Sequence, residues 1–332
     1  MRKDRSVWTT SRVLALVLGG LIAVSPAFAQ SREHRKGHGK GRDWGEWCDG
    51  DGRDHGKGKD GKLDRERVRR MVEQALPDWG EDVLDAPADD SRWAEEITFD
   101  KILAVLGDKD PLPPGLPEGA LQVRDADRSI RLDPAQGKFR YANRRRAWSF
   151  DRDFQKPAFD PAKAEQQVLA VARQLGAPLP QVTDARVDTQ MGAGAPAGAL
   201  RVADAFEMYR LVQLSRQMGD LTVFGSGLRA ALSHDGLVER MQVSWPSFSL
   251  ARALRLRERE EVVSNAVQRI LDQDPRRGTR VRARLVYTPE EDERKVLHYL
   301  PAVQIAVLSL PTPYLLTVPV AEGTEAEEPV IF

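Results

Sequence analysis

The sequence predicts an α+β fold built from successive units of one helix followed by antiparallel strands. Three observations predict it. Three segments carry apolar residues at helical spacing, bounded by capping residues or a glycine stop, and each precedes stretches of alternating apolar and polar residues. The strands come in groups after each helix, which favours antiparallel pairing over a parallel βαβ sheet. The links between strands, Pro-Ala-Gln-Gly and His-Asp-Gly, are short and rich in turn formers.

The first residues predict the compartment. "MRKDRSVWTTSR" is a basic leader, "VLALVLGGLIAV" an apolar run of about a dozen residues, and "SPAFAQ" places small residues at Ala27 and Ala29. The apolar run is shorter than the roughly 20 residues of a membrane span, so residues 1–29 read as a signal peptide cleaved before Gln30. The protein is expected to be exported, periplasmic or extracellular, with no membrane span after signal cleavage. The whole chain has 50 basic and 50 acidic residues; removal of the leader leaves 46 and 49. That balance excludes general nucleic-acid binding, which needs a basic excess. Cys48 is the only cysteine, so it either pairs between chains or stays free.

Residues 30–63 are dominated by Gly, His, Lys and Asp and hold almost no aliphatic side chains, so a flexible tether is expected there. Within it His34, His38 and His55 are candidate metal ligands, although their spacing is not that of a compact zinc site. From Asp64 the pattern becomes periodic. "DRERVRRMVEQAL" puts Val68, Met71, Val72 and Leu76 on one helical face, with Asp64 as N-cap. "TFDKILAVLG" reads as a short helix with Thr98 as N-cap and Gly107 just past its end. "RSIRLD" and "KFRYAN" read as a hairpin burying Ile130, Leu132, Phe139 and Tyr141. These elements make a first unit, 64–157.

A second unit, 158–249, starts at Asp160-Pro161 with a helix whose stripe runs through Ala164, Val168, Val171, Ala172 and Leu175 to a stop at Gly176. Strands are expected at 181–190, 204–215, 221–233 and 237–245. A third unit, 250–320, opens with a helix burying Val263, Val267, Ile270 and Leu271. The strands "RVRARLVY" and "VLHYLPAVQIAVLSL" follow, and 321–332 form an acidic tail.

The segment "GLRAALSHDGLVERMQVSW" carries the most pattern. Leu228, Ala230 and Leu232 share a face; after the Asp235-Gly236 turn, Leu237, Met241, Val243 and Trp245 share a face of the return strand. Arg240, Gln242 and Ser244 point the other way. With the lead-in from Met208, which adds Gly219 and Val223 with Gly225, residues 158–246 resemble the PepSY-like and fungalysin/thermolysin-propeptide-type modules of exported bacterial proteins. The resemblance implies a cystatin-like fold, one helix packed across a curved antiparallel sheet, and hence tandem units of that kind along the chain. In propeptides that fold chaperones and inhibits a peptidase. Here no peptidase motif follows, and His-Glu-x-x-His is absent, so any inhibition would act in trans.

An enzyme needs a constellation of reactive groups, and the sequence offers none. Outside the tether only His234 and His298 remain. "FGSG" lacks the Gly-x-Ser-x-Gly pattern and the following helix of a nucleophile elbow. No catalytic residue and no cofactor are expected. The expected function is an exported, non-catalytic protein-binding module, an inhibitor or chaperone-like partner of an envelope or secreted protein such as a peptidase. Arg240, Gln242 and Ser244 form its candidate binding face. The alternatives are a periplasmic metal- or ligand-binding protein using the tether, or an envelope assembly factor.

Overall fold

Three of the five described helices start where a side chain satisfies an open backbone donor. The computed structural model describes residues 48–49, 61–115, 117, 119–194, 203–251, 255–276, 278–291, 297–308, 312–322 and 330–331. α1 (Arg65–Ala75) begins at Asp64, whose carboxylate accepts from the Arg67 N–H at 2.8 Å. α2 (Phe99–Val105) begins at Thr98, whose hydroxyl accepts from the Lys101 N–H at 3.3 Å. α3 (Phe150–Asp153) is a single turn. α4 (Pro161–Leu175) has Asp160 as its cap and proline in its first turn, and it stops at Gly176 with φ 105°. α5 is Arg259–Leu271.

The described strands are β1 (Cys48–Asp49), β2 (Gln122–Arg124), β3 (Arg128–Asp133), β4 (Lys138–Asn143), β5 (Val182–Gly194), β6 (Ala203–Met218), β7 (Leu221–Leu232), β8 (Val238–Ser244), β9 (Arg280–Glu291), β10 (Leu297–Leu308), β11 (Tyr314–Pro319) and β12 (Val330–Ile331). They join in one mixed sheet, and the protein is α+β. β7 is its hub. β6 runs along one edge of β7. On the other edge, residues 227–232 pair with β8 and Thr222–Val223 pair in parallel with Val286–Tyr287 of β9. β8 leads outward to β4, β3 and β2, and β9 leads to β10, β11 and β12.

Two hydrophobic cores lie under this sheet. In the first, Val168, Ala172 and Leu175 of α4, with Ile102 of α2, cover Phe139, Leu228, Leu232 and Met241. In the second, Val68 and Val72 of α1, with Val267 and Ile270 of α5, cover Leu285, Val303 and Leu316. The β6–β7 hairpin serves both: Leu214 and Leu228 enter the first core, Met218 and Leu221 the second.

The structure does not confirm one helix per unit. The first unit, 64–157, does not close on itself. Its helix α1 packs beside α5, tied by Arg69 to Glu260 at 2.6 Å, while its strands β2–β4 extend the sheet of the second unit through β8. α2 and the β3–β4 hairpin share the first core, but a short hairpin and a seven-residue helix bury too little apolar surface alone, so they join the second unit's core while α1 joins the other one. The tether expectation is also corrected in part. Cys48–Asp49 pairs with Val281 and Arg280 of β9, and Leu63 is buried in the second core.

The β8 face needs one correction. Met241, Val243 and Trp245 are buried as expected, but Leu237 is 47 % exposed and Val238 only 3 %. The register shifts between Ala231 and Leu232, so that Leu232 faces Val238 while Ala231 faces Arg240. Glu239 is the extra residue of this bulge, and a bulge reverses which side chains point inward. "FGSG" has a different structural task from catalysis. Gly225 (φ 73°) and Gly227 (φ 151°) lie where β7 leaves β8 for β9, and a Cβ on Gly227 would meet the Leu214 carbonyl oxygen at 2.3 Å. Only glycine fits there.

Leu232→Ala and Met241→Ala are expected to lower unfolding free energy in urea by about 2–5 kcal/mol. Gln242→Ala and Leu237→Ala, outside the core, should change it by about 0.5 kcal/mol or less. The opposite ranking would overturn the register.

Candidate functional site

The outward face of β8 is set by strand alternation. With Met241 and Val243 buried, Arg240 and Gln242 are exposed and Ser244 is half-buried. The three do not act as one group. The Arg240 guanidinium is already engaged: it donates to Glu239 at 2.5 Å and lies 5.1 Å from the Tyr209 ring. Burial pushes the Glu239 carboxyl up, and the Arg240 charge and hydrogen bond only partly reverse this. Ser244 uses its carbonyl to accept from the Ser226 hydroxyl at 3.0 Å. Gln242 alone is open to solvent without such a contact.

Around Gln242 the pairing register assembles a row that crosses seven strands. Gln242 faces Arg140 on β4 and Arg229 on β7. Arg140 faces Arg131, and Arg131 faces Gln122 on β2. On the other side Arg229 faces Gln213 of β6, which faces Arg186 of β5. Every residue of the row is exposed. Arg186 pairs with Asp188 at 2.7 Å. Among the described residues, the side chains of Arg131, Arg140 and Arg229 make no hydrogen bond or ion pair.

One end of this face is covered by residues 144–158. Arg146 donates to the carbonyls of Leu106 and Val238, both at 3.0 Å, and Arg145 binds Asp127 at 2.7 Å. The Trp148 N–H donates to the Tyr209 hydroxyl at 2.7 Å, and its ring stacks on Phe206 with centroids 4.7 Å apart. Asp153 pins α3, accepting from the Ser149 N–H at 3.0 Å, Arg152 at 2.7 Å and Lys156 at 3.3 Å. Burial alone would raise the Asp153 carboxyl; the hydrogen bonds from Arg152, Ser149 and Lys156 outweigh it and hold the group at about 2. A groove of about 610 Å³ beside it is lined by Phe154, Pro157, Phe206 and Glu207, and Glu207 accepts from the Ala158 N–H at 2.6 Å.

The remaining candidates lie elsewhere. His234 Nδ1 contacts the Pro157 carbonyl, and His298 Nδ1 lies 3.4 Å from the Ser249 hydroxyl. His34, His38 and His55 fall outside the described residues. Among the described residues no three or more His, Cys, Asp or Glu side chains gather as a metal site would need. No described helix is long and apolar enough to cross a membrane. The residues that sequence reasoning missed are Arg131, Arg140, Arg229, Gln122 and Gln213. Alternation in "RSIRLD" and "KFRYAN" already turned Arg131 and Arg140 outward. Only the β4–β8 pairing makes them neighbours of Gln242.

The fold and this face define an α+β protein with a large mixed sheet and an open, basic outer surface. No family model matches the chain, and no curated protein matches it in sequence. Over 74 % of its length the chain is similar in structure to an uncharacterized protein from Eubacterium rectale, covering 81 % of that chain at 9 % identity with a TM-score of 0.41. It is similar over 74 % of its length to the Bacillus megaterium YpeB C-terminal domain, covering 99 % of that chain at 8 % identity with a TM-score of 0.34.

The low pKa of Asp153 sets a pH signature. A carboxyl held below its unfolded value stabilises the fold above that value, and the effect is lost as pH falls through the folded one. Asp153→Asn should therefore be less stable than wild type at neutral pH, with the gap closing between about pH 4 and pH 2. Thermal unfolding across that range checks it; a gap independent of pH would contradict the ionised role.

Proposed function

We propose that this is an exported, non-catalytic module that binds another envelope or secreted protein on the outer face of its sheet, centred on Gln242. The observation that carries the reading is the exposed row from Gln122 to Arg186, in which the side chains of three arginines make no hydrogen bond or ion pair among the described residues. Paired strands fix the spacing of these side chains, so covering the row orders side chains but not backbone. The element order supports kinship with PepSY-like modules: α4 is followed by β5 to β8, as the resemblance of residues 158–246 implies. A peptidase controlled in trans is the partner class that such kinship implies.

The two histidines outside the tether sit in local contacts, with the Pro157 carbonyl and with Ser249. The alternative of metal binding by the tether rests on His34, His38 and His55 alone.

Site-specific photo-crosslinking in the native envelope tests the reading. A photoreactive residue at Gln242 should give a discrete protein adduct, and one at Gln167, exposed on α4 across the sheet, should not. Adducts from Gln167 but none from Gln242 would place the binding surface on the helical side and overturn the proposal.

A further inference from the structure

The like charges in the row have a cost that solvation does not explain. Arg131 and Arg140 stand directly opposite each other on adjacent strands, and neither makes an ion pair among the described residues. Opposed like charges weaken a sheet, and a carboxylate at either position would turn the pair favourable. Arg229 adds a third unpaired guanidinium beyond Gln242. The chain as a whole has equal numbers of basic and acidic residues, so this row is a local excess.

We propose that the row binds an acidic, extended segment of the partner protein, laid across the strands. The inference rests on the binding-face reading above and names what that face recognises. Strands lie about 4.8 Å apart, so Arg140 and Arg229, with Gln242 between them, stand about 10 Å apart. A polyproline-type extended chain returns a side chain to the same side every three residues, about 9 Å. Carboxylates at every third residue therefore reach Arg140 and Arg229 in turn, and Arg131 joins Arg140 on the first.

The glutamines select the polymer. Gln122, Gln242 and Gln213 share the row with the arginines. A carboxamide both donates and accepts, which matches a peptide bond; a phosphodiester or sulfate oxygen only accepts. The row holds no aromatic ring on which a base or sugar could stack. The chain's own acidic stretch does not fit. The residues flanking it, Glu322 and Val330, are held by Arg255 and by β11, with β10, β9 and β7 between them and Gln242.

Fluorescence anisotropy tests this with a labelled twelve-residue probe peptide carrying glutamate at about every third position. Its glutamine counterpart serves as control and inorganic polyphosphate as competitor. The glutamate peptide should bind the full-length protein, the glutamine peptide should not, and added salt should weaken binding. The triple variant Arg131→Gln, Arg140→Gln, Arg229→Gln should bind about tenfold more weakly. It should unfold at the same temperature or higher, because the opposed charges are gone. Unchanged affinity in the triple variant would overturn the inference. Polyphosphate binding more tightly than the peptide would also overturn it and make the face a phosphate-polymer site. Crosslinking from Gln242 separates the two levels. Partner adducts that persist in the triple variant would reject acidic recognition and leave the binding face standing, whereas absence of adducts from the wild-type face would remove both.

Discussion

The structure depends on one buried arginine. Arg216 on β6 is wholly inaccessible to solvent, yet it carries a charge that no protein site removes. Its guanidinium is answered on every side. It donates to Asp89 at 2.6 Å, to Gln181 at 2.9 Å and to the Pro246 carbonyl at 2.5 Å. It also lies 5.3 Å from the Trp245 ring and 5.8 Å from Phe248. Trp245 belongs to the first core and Phe248 to the second. Burial pushes the Arg216 guanidinium below its ordinary value, and the Asp89 charge opposes that shift. Asp89 is itself fixed by two backbone hydrogen bonds to Phe248, at 2.8 and 2.9 Å. The cation therefore ties β6 to the loop at Asp89, to the turn before β5 and to the segment after β8, where the two cores meet.

That tie has a consequence for the outer face. β7 joins the two halves of the sheet through only two residues, Thr222 and Val223, on its β9 side. Such a short parallel junction is weak alone. Arg216 lies on the neighbouring strand and braces it from the core side, while Gly225 and Gly227 let β7 change partners. With the junction braced, β8 and β4 keep their register, and the arginines and glutamines stay in line. The face is thus positioned by groups buried on the opposite side of the sheet.

Local features were legible in the sequence. Asp64, Thr98 and Asp160 cap helices, and Gly176 stops α4, because caps depend on neighbours three residues away. Alternation placed Leu228, Ala230 and Leu232 inward. It misplaced Leu237 because a bulge adds a residue without changing the hydrophobic pattern that precedes it. Long-range choices were not legible. Nothing in residues 64–157 says that α1 will pack on α5 or that β4 will pair with β8, since equivalent apolar faces could have met differently. Arg216 had a signal that could have been read. It sits in the inward stripe Val212, Leu214, Arg216, Met218, where a charge must find a buried partner.

The central claim is that the Arg216–Asp89 pair holds the two cores together. A double-mutant cycle in urea unfolding, with Asp89→Leu, Arg216→Met and both together, tests it most directly. Either single change strands the other group and should cost about 3–5 kcal/mol. The double variant should recover much of that loss, giving a coupling of about 2 kcal/mol or more. Costs that add to within about 0.5 kcal/mol would show that the two residues act independently and would contradict the account.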